Sequence, residues 1–491
     1  MISYLKWVFL LALWGVILFF SRSFGINVIL FMAPLMAYMY HVLKKNDKIK
    51  NCYGLLFMIP ILLLSFTYTL FDVNVFKVFN VFAIPVLIAL MIIYITDETY
   101  DIGKLAENVI NYLILPYNYI SRLFRVTKNQ LNIKLKLSDK AKNILKSLVI
   151  VIPITLIVLA LLSSADMVFG NIFDGIWDKI IGFLKNEFFD NLFGRIVAFI
   201  LLFFAIGCTT MYIMYEKKKD IFSTSSTKEK SLLTAKILVS VLNVVYVLFD
   251  FIQIKSLIFH SVSSNIDYAS YARQGFFELL VVSLINISII LLTRGLETKK
   301  NTKEFNYVKI MNVIMIFLTI VIIASSFLRM HLYEMEYGYT TLRLLVFAAL
   351  ITEAILMIPT VMYIFNKDFN IVKSYMIILL VAYVCVNFMN LDYIIAKRNI
   401  NRYYYTQDID LDYLENYSYG NVPLLIKFYN NVNDSEIKEK LGNYLYDLKQ
   451  NIKDNKQSIF EFNIPYYNAR VLLEHNEFFV KEFERRDYLN R

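Results

Sequence analysis

The sequence contains few charged residues for a chain of 491. Asp, Glu, Lys and Arg together make up 18% of the residues, whereas soluble domains contain about a quarter. Hydrophobic residues make up 58%, which is more than the core of a soluble domain would bury. Because lipid accommodates such an excess of apolar side chains, the composition argues against a soluble globular protein and predicts an integral membrane protein.

Cysteine and histidine are also scarce. The three cysteines, Cys52, Cys208 and Cys385, lie in apolar segments without CxxC spacing, which excludes a disulfide framework. The four histidines are too few for a His-rich iron site. The chain lacks the Walker A, GxGxxG, GxSxG and HExxH motifs. We therefore expect no metal, no cofactor and no ATP-driven chemistry within this chain.

Long apolar runs are abundant. A helix of about 20 apolar residues crosses the hydrocarbon core of a bilayer, and the runs near this length predict a fold class that is all-α. The expected architecture is a polytopic helical membrane bundle of about eleven spans with a soluble helical segment after it. The predicted spans are residues 4–20, 26–42, 52–71, 75–95, 147–164, 194–215, 233–258, 274–292, 308–328, 342–365 and 373–390.

Basic residues concentrate in alternate connections between these spans. The segments 44–50, 97–146, 216–232 and 293–307 carry most of the Lys and Arg, and with eleven spans they fall on one side of the membrane. Positively charged loops favour the cytoplasmic side, so we expect a cytoplasmic N-terminus and an extracytoplasmic C-terminal tail. The same distribution explains the net charge of +10, and nucleic acid is not an expected partner.

The predicted spans divide the chain into four parts. Residues 1–96 form a four-span membrane segment, residues 97–146 a basic cytoplasmic loop, residues 147–391 a seven-span core, and residues 392–491 a soluble helical tail. Within the core, residues 167–189 have apolar side chains at helical spacing opposite charged ones. This pattern is typical of an amphipathic helix on the outer surface, with ordinary loop packing as the alternative.

The tail carries its own helix signals. Apolar residues recur at helical spacing between Glu436 and Gln450, which predicts one helix, and a second is expected over about 466–486. Pro423 and Pro465 stand where helices are expected to start.

Three stretches of the second half resemble one family of bacterial membrane proteins. They are Tyr271–Leu280, Arg329–Tyr333 with Gly338–Arg343, and Asn399–Tyr403 followed by Asp410–Leu414. Their combination and order resemble the family catalogued as domain of unknown function 4173, close to its relative 4153, over about residues 240–430. The resemblance implies a multi-span protein of a bacterial plasma membrane with a helical tail, and it implies no activity.

Ionisable residues within predicted spans are costly, so they are candidates for a functional site. Our hypothesis is an outward-facing polar pocket between spans seven and ten, with Glu353 at its floor. The alternatives are charged pairs that fix the packing of neighbouring helices and arginines that bind lipid phosphate at the interface. Asn243 and Asn286 are expected to hydrogen-bond across helices. The candidate pocket residues are Asp250, Arg273, Glu278, Arg329, His331, Arg343 and Glu353.

Three functions fit this pattern. The first is transport of a small solute or ion through the pocket, which would use Asp250 and Glu353. The second is a cell-envelope sensor, scaffold or assembly partner that recognises another envelope protein through the tail. The third is an enzyme on lipid or envelope precursors at the outer leaflet, in which arginines hold phosphate and Glu278 or Glu334 is the base. The expected surroundings are a lipid bilayer in every case, and a lipid is also a candidate ligand.

Overall fold

The computed structural model is all-α over the residues that it describes, which confirms the predicted fold class. Three predicted features lie outside these residues: the basic loop at 97–146 (apart from Leu123), the span at 147–164 and the amphipathic segment at 167–189. The described residues are 2–96, 123, 192–215, 232–258, 276–294, 302–366, 368–415, 418–454 and 457–478.

The chain divides into two compact units, and the predicted domain boundaries stay predictions. The first unit holds Met1–Leu70, Lys77–Lys219 and Gln457–Asn463, and the second holds Phe71–Phe76, Asp220–Lys456 and Ile464–Arg491. The helices of the first unit are α1 (Ile2–Phe19), α2 (Ile26–Lys45), α3 (Met58–Leu70, after a 3-10 turn at Cys52–Phe57), α4 (Asn74–Thr96) and α5 (Leu192–Tyr215).

Helices α1 and α5 pack antiparallel in the first unit. Phe9, in the first half of α1, meets Phe199 edge to face with ring centroids 5.1 Å apart. Phe20, just after the end of α1, lies under the guanidinium of Arg195 in the first turn of α5. Because the end of α1 meets the start of α5, the two helices cross the unit in opposite directions.

A short segment of the tail belongs to the first unit. Residues 457–463 contain a 3-10 turn, Ile459–Glu461, that lies against the connection between α1 and α2. The N–H of Ile26 donates to the carbonyl of Phe462 at 2.9 Å, and the N–H of Ser23 donates to the carboxylate of Glu461 at 2.7 Å. The first bond satisfies a backbone donor at the start of α2, which has no partner within the helix, and the second ties the connection before it.

The second unit contains a membrane part and a tail part. Its membrane helices are α6 (Leu232–Ile258), α7 (Phe276–Arg294), α8 (Thr302–Tyr337), α9 (Thr341–Phe365) and α10 (Ile371–Phe388). Its tail helices are α11 (Leu391–Thr406), α12 (Leu411–Glu415), α13 (Val422–Asn431), α14 (Ser435–Asp454) and α15 (Ile464–Glu474).

The tail helices share a hydrophobic core. Phe428, Leu441 and Leu445 are buried in it, and the ring of Tyr403 meets the ring of Phe428 edge to face. The predicted helix at 436–450 is confirmed by α14, and Pro423 and Pro465 stand at the second residue of α13 and α15 as expected. The helix predicted for 466–486 ends at Glu474, so it is shorter than expected, and the residues after 478 lie outside the described part.

The chain is a multi-pass integral membrane protein. In the described part of the chain, six helices are long and apolar enough to cross a membrane, and shorter apolar helices cover Tyr4–Phe19, Ala198–Met211 and Leu279–Arg294. Large apolar side chains face outward along these helices, as with Phe251 at 70% exposure and Phe317 at 67%. Such surfaces are stable against lipid. The count of about eleven spans stays a prediction.

Candidate functional site

Helices α6 and α8 run parallel, and α7 runs antiparallel to both. Ser240 of α6 meets Tyr307 of α8 at 2.8 Å, and further along α6 the amide of Asn243 donates to the carbonyl of Met311 at 2.8 Å. This second bond confirms the predicted role of Asn243 between helices. Helix α7 is antiparallel because Thr293 bonds to Asn312 on α8, whereas the earlier Asn286 bonds to the later Thr319.

The C-terminal end of α7 carries a fully buried arginine and a polar pair. Arg294 is 1% exposed, and its Nε donates to the carbonyl of Tyr363 on α9 at 3.0 Å. One residue earlier, the hydroxyl of Thr293 meets the amide of Asn312 on α8 at 3.0 Å. The guanidinium therefore binds one of the last carbonyls of α9, which that helix leaves without a backbone donor.

A three-helix bridge lies two turns further along α7. The hydroxyl of Tyr246 on α6 donates to the side-chain oxygen of Asn286 on α7 at 2.6 Å. The amide nitrogen of Asn286 donates in turn to the hydroxyl of Thr319 on α8 at 2.9 Å. The predicted role of Asn286 as a bond between helices is confirmed. Because every polar atom in this chain of bonds is partnered within the bundle, the bridge fixes the rotation of three helices.

Glu353 lies at the centre of α9. It is twelve residues from Thr341 and twelve from Phe365, the two ends of the helix, and its side chain is 4% exposed. One carboxyl oxygen is 2.5 Å from the hydroxyl of Ser283, which stands one turn before Asn286 on α7. Because Glu353 is central in its helix and buried, an ionised side chain there costs much free energy in a membrane, as the sequence predicts.

Asp250 is a second buried carboxylate. Its side chain is 5% exposed, and neither carboxylate oxygen forms a hydrogen bond with a described residue. Asp250 comes four residues after Tyr246 on the same face of α6, and Ser283 comes three residues before Asn286 on the antiparallel α7. Both positions are one turn beyond the bridge in the same direction, so Asp250 and the Ser283–Glu353 pair occupy the same layer.

We call the polar side chains from Arg294 through the bridge to the layer of Asp250 and Glu353 the polar track. From Arg294 to Ser283, α7 rises by about 16 Å, which is about half of a hydrocarbon core of about 30 Å. The polar track therefore connects one end of the bundle with its centre. Its members are Tyr246, Asp250, Ser283, Asn286, Thr293, Arg294, Asn312, Thr319 and Glu353.

The other predicted pocket residues are not part of the polar track as far as the structure describes them. Arg329 is buried on α8, whereas the side chain of His331 is exposed on the same helix. Arg273 lies outside the described residues, and Glu278 lies in α7 with its side chain outside the described part. We therefore restrict the candidate site to the polar track and leave His331 out of it.

Arg343 does not pair with Asp250, which was one of the pairings that the sequence allowed. Its guanidinium donates to the carbonyls of Tyr337 and Gly338 and lies 4.1 Å from the centre of the Tyr333 ring. These carbonyls belong to the end of α8, which its own helix leaves without donors. A cation at a helix C-terminus is also favoured by the helix dipole. Local contacts of this kind hold the Arg343 guanidinium at the end of α8.

Two of the three family-like stretches meet at the turn between α8 and α9. Gly338 has a φ of +80°, and both polar atoms of the Asn399 side chain bind the backbone of Tyr339, at 2.7 and 2.9 Å. Arg402 donates to the carbonyls of Met335 and Glu336. We call this set of contacts the turn clamp.

One protein-family model matches most of the chain. A family model described as domain of unknown function 4153 matches residues 58–428, which is well over half of the chain. The motif resemblance pointed to the neighbouring family 4173, so it was near but not correct. The matched range begins in the first third of the chain, far before the stretches on which that resemblance depended. No curated protein and no solved structure matches the chain.

Proposed function

The chain belongs to the family described as domain of unknown function 4153, and we propose that it moves protons or a small monovalent cation across the membrane along the polar track. The family description assigns no activity, so the proposal depends on the site. The observation that carries it is the layer of Asp250 and Glu353, two buried carboxylates at one depth of the bundle. Ionisable groups inside a membrane mark proton and ion pathways in many transport proteins.

The hydrogen bonds of Ser283 support a proton on Glu353. The Ser283 hydroxyl has one hydrogen, yet its oxygen is 2.8 Å from the carbonyl of Leu280 and 2.5 Å from a carboxyl oxygen of Glu353. If the hydroxyl donates to the carbonyl, the short contact with Glu353 needs a proton on the carboxyl group. Glu353 then donates to Ser283, and it gives up this proton when the hydroxyl turns towards the carboxylate.

Asp250 provides a second acceptor in the same layer. Its oxygens have no hydrogen-bond partner among the described residues, so they are available to a proton or to a cation. Further oxygen atoms lie in this layer and between it and Arg294, namely the hydroxyl and amide oxygens of Ser283, Asn286 and Thr319. Oxygen atoms are the ligands that hard cations prefer.

Flux through the purified protein tests this proposal. We expect proteoliposomes that contain the protein to dissipate an imposed pH gradient faster than protein-free vesicles of the same lipid. Parallel measurements with Na⁺ and K⁺ gradients identify the ion. A pathway for a metal cation dissipates the gradient of that cation and leaves the pH gradient in place. Rates equal to the leak of protein-free vesicles for all three ions would contradict the proposed function.

We also propose that the N-terminus is cytoplasmic and that the tail lies outside. Lys44 and Lys45 stand in the last turn of α2, whereas the tail segment 457–463 binds the opposite end of that helix. Positively charged helix ends favour the cytoplasm, so this arrangement supports an extracytoplasmic tail.

Cysteine labelling tests the orientation. The three native cysteines are replaced by Ala, and Lys50→Cys and Ile459→Cys are introduced separately at exposed positions of the first unit. In intact cells we expect a membrane-impermeant maleimide to label Ile459→Cys, and Lys50→Cys only after permeabilisation. The reverse pattern would place the tail in the cytoplasm.

The enzyme hypothesis receives no comparable support. It assigned a phosphate to arginines at the outer surface, among them Arg343. Since the guanidinium of Arg343 is engaged by the end of α8 and by the Tyr333 ring, we do not propose an enzyme.

A further inference from the structure

A groove runs between α1 and α5 in the first unit. It has a volume of about 430 Å³, and most of its lining is apolar, with Leu13, Ile17 and Phe199 along its length. Binding sites for small molecules have volumes of about 300–1,000 Å³. The groove lies on apolar helices of a membrane protein, so hydrocarbon is the surrounding solvent.

One end of the groove carries two arginines. Arg22 follows the end of α1, and Arg195 lies in the first turn of α5, and both line the same cavity. Since α1 and α5 are antiparallel, these two positions mark the same end of the helix pair, where apolar helices give way to the polar connection at 20–25. Guanidinium groups at such a boundary match the depth of lipid phosphates.

Among the described residues, the two guanidinium groups have few competing partners. Arg195 contacts the ring of Phe20 at 5.0 Å, and no hydrogen bond joins it to another described residue. Arg22 donates to the carbonyl of Ile17 and lies 4.7 Å from the centre of the Phe460 ring, which leaves donors of its five N–H groups unused. Glu461 is occupied by the N–H groups of Ser23 and Ser458.

We propose that this groove is a binding site for an anionic phospholipid. Arg22 and Arg195 hold the phosphate, which carries the negative charge of the lipid, and one acyl chain lies along the apolar floor between α1 and α5. Arginine suits this role because its planar donors bind phosphate in a bidentate way. The site lies at the end of the helix pair where tail residues 457–463 pack, so a bound lipid also contacts the ring of Phe460. This inference is independent of the proposed transport function.

Native mass spectrometry of the whole protein tests the site. The protein is released into mild detergent and titrated with phosphatidylglycerol or with phosphatidylcholine of the same acyl chains. We expect Arg22→Gln combined with Arg195→Gln to weaken retention of the first phosphatidylglycerol by roughly tenfold or more, because charge-assisted hydrogen bonds are lost. Retention of phosphatidylcholine is expected to fall less, because its choline cation offsets the phosphate charge that the arginines bind.

Three further variants keep the test decisive. Arg195→Gln alone leaves the contacts of Arg22 with Ile17 and Phe460 in place, so it should fold as the wild type and show part of the loss. Arg195→Lys keeps the charge and should retain the preference for phosphatidylglycerol. Arg470→Gln removes an arginine that pairs with Glu474 in the tail and should change nothing. Equal retention of phosphatidylglycerol by the wild type and the double variant would overturn the proposal, as would equal losses of both lipids.

Discussion

Replacing Gly338 with Ala is expected to lower the free energy of unfolding by about 2–4 kcal/mol. Two terms add to this loss. For a residue other than glycine, the left-handed backbone that Gly338 adopts at φ +80° is about 1–2 kcal/mol less stable. In addition, the new Cβ would lie 2.8 Å from the side-chain oxygen of Asn399. It would therefore displace the amide that binds both backbone atoms of Tyr339.

A double-variant cycle separates these two terms. Asn399→Ala alone should cost about 1–3 kcal/mol, since the N–H and carbonyl of Tyr339 lose their partner. In the Asn399→Ala background, Gly338→Ala should cost only the backbone term of about 1–2 kcal/mol, because the steric conflict is absent. Equilibrium unfolding in mixed micelles measures all four proteins.

The control for this cycle is another asparagine of the second unit. Asn431 is exposed and donates to the carbonyl of Lys427 within its own helix. We expect Asn431→Ala to change the free energy of unfolding by less than about 0.5 kcal/mol. If Gly338→Ala cost the same with and without Asn399, the turn clamp would not act as described.

The turn clamp connects the tail with the helix that carries Glu353. Asn399 and Arg402 belong to α11, and they hold the end of α8 and the turn that starts α9. The N–H of Thr341, the first residue of α9, also binds the hydroxyl of Tyr413. Destabilising variants of the clamp should therefore affect the position of α9 as well as the tail.

The membrane helices were predictable from the sequence because their signal is local. A run of about 20 apolar residues needs no information from the rest of the chain, and α9 follows the predicted span at 342–365 within one residue. Asn286 was predictable as an interhelical partner for the same reason, since a lone amide in an apolar span has few other ways to satisfy its bonds. The burial of Glu353 follows from its place in the middle of such a run.

The partners of charged residues were not predictable, because they depend on three-dimensional neighbours. The sequence makes Arg343 a candidate pocket residue, but its guanidinium binds the carbonyls of Tyr337 and Gly338 at the adjacent turn. The turn clamp joins Asn399 to Tyr339 across 60 residues of chain, and no periodic pattern encodes such a pair. Ser283 carried no signal at all, since serine is common in membrane helices.

The second prediction concerns the proton on Glu353. Replacing Glu353 with Gln keeps the size of the side chain and a donor for Ser283, so the helices should pack as before. The amide neither gives up nor takes up a proton, and flux should fall to the leak of protein-free vesicles. The matched control is Glu336→Gln, which removes an exposed carboxylate from α8 and should leave flux at the wild-type rate.

The most direct test of the polar track is therefore the rate of pH equilibration in proteoliposomes with equal amounts of wild type, Glu353→Gln and Glu336→Gln. Our account predicts that the wild type and Glu336→Gln dissipate the gradient at the same rate and that Glu353→Gln does not exceed the protein-free leak. A Glu353→Gln protein that dissipates the gradient as fast as the wild type would contradict the account and reduce Glu353 to a packing residue.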